Sequence, residues 1–191
     1  MLALALVSHA PRMNLVHHHP LIEEVLSAWS TPLGAAREPY RGHVYRVFNV
    51  TRRLVQASTR DEELATAAVF HDLGIWSDAT FDYLPPSIRR AREHIATRAP
   101  HLDSARVAEI IELHHRLRRV TRGPDAETVE AFRLADRVDV SRGLLAAGLE
   151  RAYLRDLSQA FPYAGFHALL LRTAVRWFVR HPLKPLPMLR L

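Results

Sequence analysis

Leu64-Ala-Thr-Ala-Ala-Val-Phe-His71-Asp72-Leu-Gly74 is the stretch on which the reading of this chain turns. Leu64, Ala67, Ala68 and Phe70 recur at helical spacing, and Gly74 supplies a stop signal. A His-Asp pair directly after such an apolar run is out of place on a solvated face. Burying it costs several kcal/mol, on the order of a full charge desolvation, unless the pair is bonded or bound to a metal. With 12 His and nine Asp in 191 residues, a His-Asp dipeptide arises by chance about 0.6 times. The signal therefore lies in the apolar setting, not in the dipeptide.

Outward from this stretch the periodicity stays helical. Leu21 to Trp29 forms a short amphipathic segment that ends in the Ser-Thr-Pro-Leu-Gly loop at 30–34. Tyr40 to Ala57 carries Val44, Val47, Phe48, Val50, Leu54 and Val55 as one stripe. Asp61 stands where a cap would open the helix leading to His71, and residues 75–86 read as a loop. Ser87 is placed to cap a helix to about Arg98, and Asp103 to cap another through Val107, Ile110, Ile111, Leu113 and Leu117. A long helix is expected over 126–146 and a last one over Tyr163 to Arg180. No strand-like alternation and no internal repeat is found. The expected fold is all-α, a compact single-domain bundle of seven or eight helices. Its parts are an N-terminal segment 1–39, a core 40–145, and C-terminal helices with a Pro-rich tail at 146–191 completing the same domain.

Composition narrows the chemistry. At 48% hydrophobic the chain has enough apolar residues for one sizeable core. The absence of cysteine excludes disulfides, thiolate ligands and a thiol nucleophile. No run reaches the roughly 18 apolar residues of a membrane span. Met1 to Val7 is apolar but short and lacks a preceding basic residue, so a cytoplasmic location is expected. The His17-His18-His19 triplet before Pro20 reads as a loop. All but one of the 26 basic residues are Arg, and the net charge is +6. Arg52-Arg53, Arg89-Arg90-Ala-Arg92 and Arg116-Leu-Arg118-Arg119 keep a nucleic-acid or partner-binding helical protein as an alternative. These clusters are, however, interleaved with Glu and lack a reader motif.

Two more polar residues sit beside apolar stripes: His43, in Gly42-His-Val-Tyr-Arg-Val, and Asp136, in Phe132-Arg-Leu-Ala-Asp-Arg-Val-Asp. With His71 and Asp72 they make two imidazoles and two carboxylates, a ligand set for one divalent metal that leaves room for water. Nitrogen and oxygen donors without sulfur suit Mn, Fe, Co, Ni or Zn alike.

His43, His71-Asp72-Leu-Gly and Ala135-Asp136-Arg together resemble the H…HD…D signature of the HD-domain superfamily of metal-dependent phosphohydrolases. The intervals, 28 residues from His43 to His71 and 64 from Asp72 to Asp136, lie in that family's range. The resemblance spans residues 40–145. It implies an HD-like helical core, a metal held by His43, His71, Asp72 and Asp136, and hydrolysis of a small phosphate ester or nucleotide by metal-activated water. Asp72 is then the carboxylate nearest a bound water. His114, in phase with Ile110 and Ile111, is the expected proton donor or substrate ligand, and His115 a second substrate contact. Adjacent helical residues point about 100° apart, so only one of the two is expected to face the site squarely. Arg46, one turn after His43, is the expected phosphate clamp.

Some members of the superfamily bind two metals through extra histidines, among them di-iron oxygenases, and this is the enzymatic alternative. The helix ending at His114 resembles one that delivers such a histidine. The position matching the other is Ser87, with His94 too far along, so one metal is the main expectation and a second the lesser one. The Glu expected three residues after the HD Asp in the nucleotidase branch is replaced by Ile75. Roles for Asp78, Asp82, His94 and Asp139 stay open at this point, as does a homo-oligomer in which the Pro-rich tail packs across a neighbour.

Overall fold

A computed structural model describes residues 15–55, 60–184 and 186–189; the Met1–Val7 segment lies outside them. Ten α-helices follow in order: α1 (Pro20–Ala28), α2 (Ser30–Leu33), α3 (Arg37–Val55), α4 (Asp61–Phe70), α5 (Gly74–Ser77), α6 (Leu84–Arg98), α7 (Ser104–Leu113), α8 (Ala126–Val140), α9 (Arg151–Ala160) and α10 (Phe166–Arg180). A 3₁₀ turn, Gly34–Ala36, joins α2 to α3. Eight of the ten are nine residues or longer, and the described residues contain no strand. The chain is an all-α single-domain bundle, and no helix among the described residues is long and apolar enough to cross a membrane.

α3 is the axis. Residues 42–51 are buried without a break, so this helix is enclosed on every side. It packs along α8 on one flank and α4 on the other, while α7 lies against α4, α6 and α8. Val44, Val47, Phe48 and Val50 meet Ala67, Ala68, Phe132 and Ala135 in one core, which also takes in Leu157 of α9 and Phe166 of α10. α4 is too short and too uniformly apolar to show a face: residues 63–75 are all buried, so His71 and Asp72 lie deep in the fold.

Several local expectations change. Asp61 does not cap α4 but is its first residue, and its carboxylate accepts from Arg52 Nε at 2.9 and 3.0 Å. The 75–86 loop opens with the single turn α5, and α6 begins at Leu84 because Pro85 and Pro86 suit a first turn that needs no N–H. Ser87 is thus inside α6, with its Oγ turned inward to accept from the Gly74 N–H at 3.0 Å. Gly74 has to be glycine here: a Cβ would lie 2.5 Å from the Tyr83 carbonyl oxygen.

Asp103 does cap α7, accepting from the N–H groups of Ala105 and Arg106. That helix stops at Leu113, short of the half-exposed Leu117. The 126–146 helix ends at Val140, where Arg142 and Gly143 turn left-handed at φ +52° and +78° and the Gly143 N–H bonds back to the Val138 carbonyl. Of the C-terminal helices expected over 146–191, only the last was given a range, and α9 precedes it at Arg151–Ala160. Leu157 is its one fully buried residue, with Tyr153 and Leu154 packed partly buried against the core on the same amphipathic helix.

Candidate metal centre

Four segments bring the polar groups to one point. α3 carries His43 and Arg46. The C-terminal end of α4 carries His71, with Asp72 in the turn after it. α8 presents Asp136 and Asp139 one helical turn apart, and the turn closing α7 presents His114 and His115. His43, His71, Asp72, His114, Asp136 and Asp139 are all buried at 3% exposure or less, a cost that only mutual pairing or a bound cation offsets.

Orientation follows from what each ring's second nitrogen does. His43 Nδ1 lies 2.6 Å from Asp139 Oδ2, His71 Nδ1 2.8 Å from the Ala68 carbonyl, and His114 Nδ1 2.7 Å from the Ile111 carbonyl. Each Nδ1–H therefore donates outward and each Nε2 turns inward. His43 Nε2 and His71 Nε2 are 2.9 Å apart. Asp72 Oδ2 is 3.5 Å from both, and Asp136 Oδ1 lies 3.7 Å from His43 Nε2 and 3.9 Å from His71 Nε2. On the other side of Asp72, Oδ1 is 3.5 Å from His114 Nε2. His115 Nδ1 lies 3.6 Å from Asp136 Oδ2 while Tyr83 Oη donates to His115 Nε2.

Acceptors outnumber donors where these atoms converge. Asp72 Oδ1, Asp136 Oδ1 and His114 Nε2 are buried with no hydrogen-bond partner. Two imidazole lone pairs cannot face each other at 2.9 Å without a proton or a cation between them. His43, His71 and Asp72 form one group with ligand-like spacing, and Asp72, His114 and His115 a second that shares the carboxylate. The donor set fits a divalent metal: nitrogen and oxygen only, with outer hydrogen bonds already fixing the tautomers.

Proton affinities reflect the same competition. Burial pulls His43 down, but the Asp139 and Asp72 carboxylates outweigh it and raise its pKa to about 9. His71 falls to about 3, since burial and the neighbouring imidazoles His43 and His114 outweigh the pull of Asp72. Asp136 rises to about 6, chiefly through burial. Asp72 lies well below the carboxylate range because, against its burial, three imidazoles surround it. His115 is pushed well down by burial and by His114, in keeping with a neutral ring that accepts from Tyr83.

Of the residues picked out from sequence, His43, His71, Asp72, Asp136, His114 and His115 are brought together. Both adjacent histidines face the cluster, with ring centroids 4.0 Å apart, where only one was expected to do so. With its side chain 20% exposed, His115 is the member of the group that reaches solvent.

Arg46 is not a substrate clamp. Its guanidinium lies against both oxygens of Asp139, donates to the carbonyls of Phe161 and Pro162, and covers the Tyr163 ring at 4.1 Å. Each of its three nitrogens bonds within the protein. Asp78 pairs with Arg89 and Arg90, and Asp82 is exposed with its N–H bonded to Thr80; neither turns to the cluster. His94 packs on Phe70, away from the cluster.

Sequence reasoning overlooked Tyr83 and Tyr40. Tyr83 has no spacing signal, while Tyr40 stands one turn before His43 and donates to the Val69 carbonyl at 2.9 Å. No family model, curated protein or solved structure matches the chain.

Proposed function

We propose that the chain is a metal-dependent phosphohydrolase of the HD-domain kind, acting on a small phosphate ester or nucleotide in the cytoplasm. One observation carries the reading: three buried acceptors of the cluster, Asp72 Oδ1, Asp136 Oδ1 and His114 Nε2, have no hydrogen-bond partner. His43, His71, Asp72 and Asp136 would hold one divalent transition metal (Mn, Fe, Co, Ni or Zn). Such a metal, when bound, supplies Lewis-acid polarisation of a phosphoryl oxygen and lowers the pKa of a water.

The chain's own residues supply the remainder. Asp72 Oδ1, facing His114 Nε2 at 3.5 Å, is the carboxylate positioned to take a proton from water, and His114 the group to receive or return it. His115, at the solvent-facing edge and oriented by Tyr83, is the contact for the phosphorylated substrate. Asp139 and Arg46 position His43 and touch no substrate.

A second reading, a two-metal centre of the HD-type di-iron oxygenase kind, is favoured by the group Asp72, His114 and His115, which would let Asp72 serve two ions. Metal analysis after reconstitution with Mn, Fe or Ni tests both. One equivalent in the native protein and almost none in Asp72→Ala supports the hydrolase, as does phosphate release from nucleoside monophosphates that is lost in the variant. Two equivalents with oxygen uptake favours the second reading. Equal and negligible metal in both proteins overturns the site.

A further inference from the structure

Behind Asp139 the fold contains a cavity of about 430 Å³ between the C-terminal end of α8, the 141–150 turn and α9. It shares only Arg46 and Asp139 with the cluster described above. Arg46, Arg142, Arg151 and Arg155 line it, and Asp139 is the one acidic residue among its walls. That carboxylate is already held by His43 and Arg46.

Arg142 and Arg151 have no carboxylate partner among the described residues. Arg155 meets Asp156 at 3.6 Å in an exposed contact that neutralises little. Arg142 donates to His167 Nδ1 at 3.4 Å and lies over the Tyr163 ring at 5.5 Å, the same ring that Arg46 covers at 4.1 Å. Two guanidinium groups therefore share one aromatic ring. Arg142 does so from a left-handed backbone at φ +52°, a conformation that favours Gly or Asn.

Arg142 and Arg151 stand exposed at this cleft without a carboxylate partner, so their combined field favours an anion there. Val138, Leu154 and Leu157 supply an apolar part of the remaining wall, beside Ser158 and Tyr163, and the volume is in the range of small-molecule sites. We infer that this cleft binds a small molecule bearing a diphosphate or an equivalent pair of anionic groups, for which guanidinium forks are the matching donors. The site is separate from the proposed metal and does not depend on it.

Isothermal titration of inorganic pyrophosphate into the full-length protein, with and without EDTA, tests the inference. Saturable one-to-one binding is expected in both conditions. The R142Q/R151Q variant should weaken it by about tenfold or more, because two charge-assisted contacts are lost. R118Q/R119Q, which removes the same charge from an exposed surface elsewhere, should leave it unchanged. Circular dichroism on both variants reports that the fold persists. Absence of saturable binding, equal loss in the two double variants, undiminished binding in R142Q/R151Q, or binding abolished by EDTA would each overturn the assignment.

Discussion

Asp139 accepts from His43 Nδ1 through Oδ2 at 2.6 Å while Arg46 lies against both of its oxygens. Burial would raise this carboxylate, but His43 and Arg46 together hold it below the usual range. One buried side chain thus fixes the tautomer of a proposed ligand and anchors the arginine that ties α3 to the 161–163 segment.

Asp139→Asn should therefore have two separable effects. Metal affinity falls by about 10–100-fold, the usual cost of losing the group that orients a histidine ligand. Thermal stability falls as well, since Arg46 is left as a buried, half-paired cation. Metal titration and thermal unfolding read the two independently. An unchanged affinity would mean that His43 is not a ligand.

Arg46→Ala should lower stability by about 3–5 kcal/mol, because it strands a buried carboxylate. An exposed change such as Arg118→Ala should stay within about 0.5 kcal/mol. Denaturant titration distinguishes them. A loss as small as that of the exposed variant would contradict the internal role assigned to Arg46.

The pH dependence should reverse with metal. In the chelated protein His43 has a folded pKa of about 9 against an ordinary 6.5. Its contribution to stability is thus complete below about pH 6.5 and lost as pH rises through about 9. A metal must displace that proton, so Mn or Ni affinity should rise over the same interval with proton release, and loaded protein should gain stability where chelated protein loses it. Melting curves at pH 6.5, 8 and 9, with and without metal, make the comparison. Parallel curves would dismiss the coupling.

Gly42→Ala should destabilise although alanine is the better helix former by about 1 kcal/mol. A Cβ there would lie 2.7 Å from the Pro162 carbonyl oxygen, which is backbone and cannot step aside, and 2.9 Å from Arg46 Nη1. Overpacking of this kind costs about 1–3 kcal/mol. Thermal unfolding of the variant checks it, and a gain in stability would show that the 161–163 segment can move.

What could be read from the residues alone has a physical pattern. The helices that bury a broad stripe, α3 and α8 above all, announce themselves by period, and the polar residues set into those stripes, His43 and Asp136, stand out because they interrupt it. α9 is short and fully buries only Leu157, yet its residues are segregated into an apolar and a polar face, a signal present in the sequence and passed over. Arg46 shows a different failure: an arginine one turn from a candidate ligand looks free in sequence, and only the return of the chain at Phe161 and Pro162 reveals that its nitrogens are held inside the fold. Ser87 looked like a cap because residue type suggests one, whereas its use is set by Gly74, 13 positions away. Periodicity reports what a segment does locally, and the partners supplied by distant turns are invisible to it.

The 115 residues separating Arg46 from its Phe161 acceptor bear on synthesis as well as on stability. Translation delivers His43, His71 and Asp72 early, then Asp139, and only after residue 163 the segment that locks Arg46 in place. At about 5–20 residues per second, the nascent chain spends several seconds with its histidines and carboxylates made but unsupported. If the proposed metal binds, a cation arriving in that interval would meet ligands that the 161–163 segment has not yet braced.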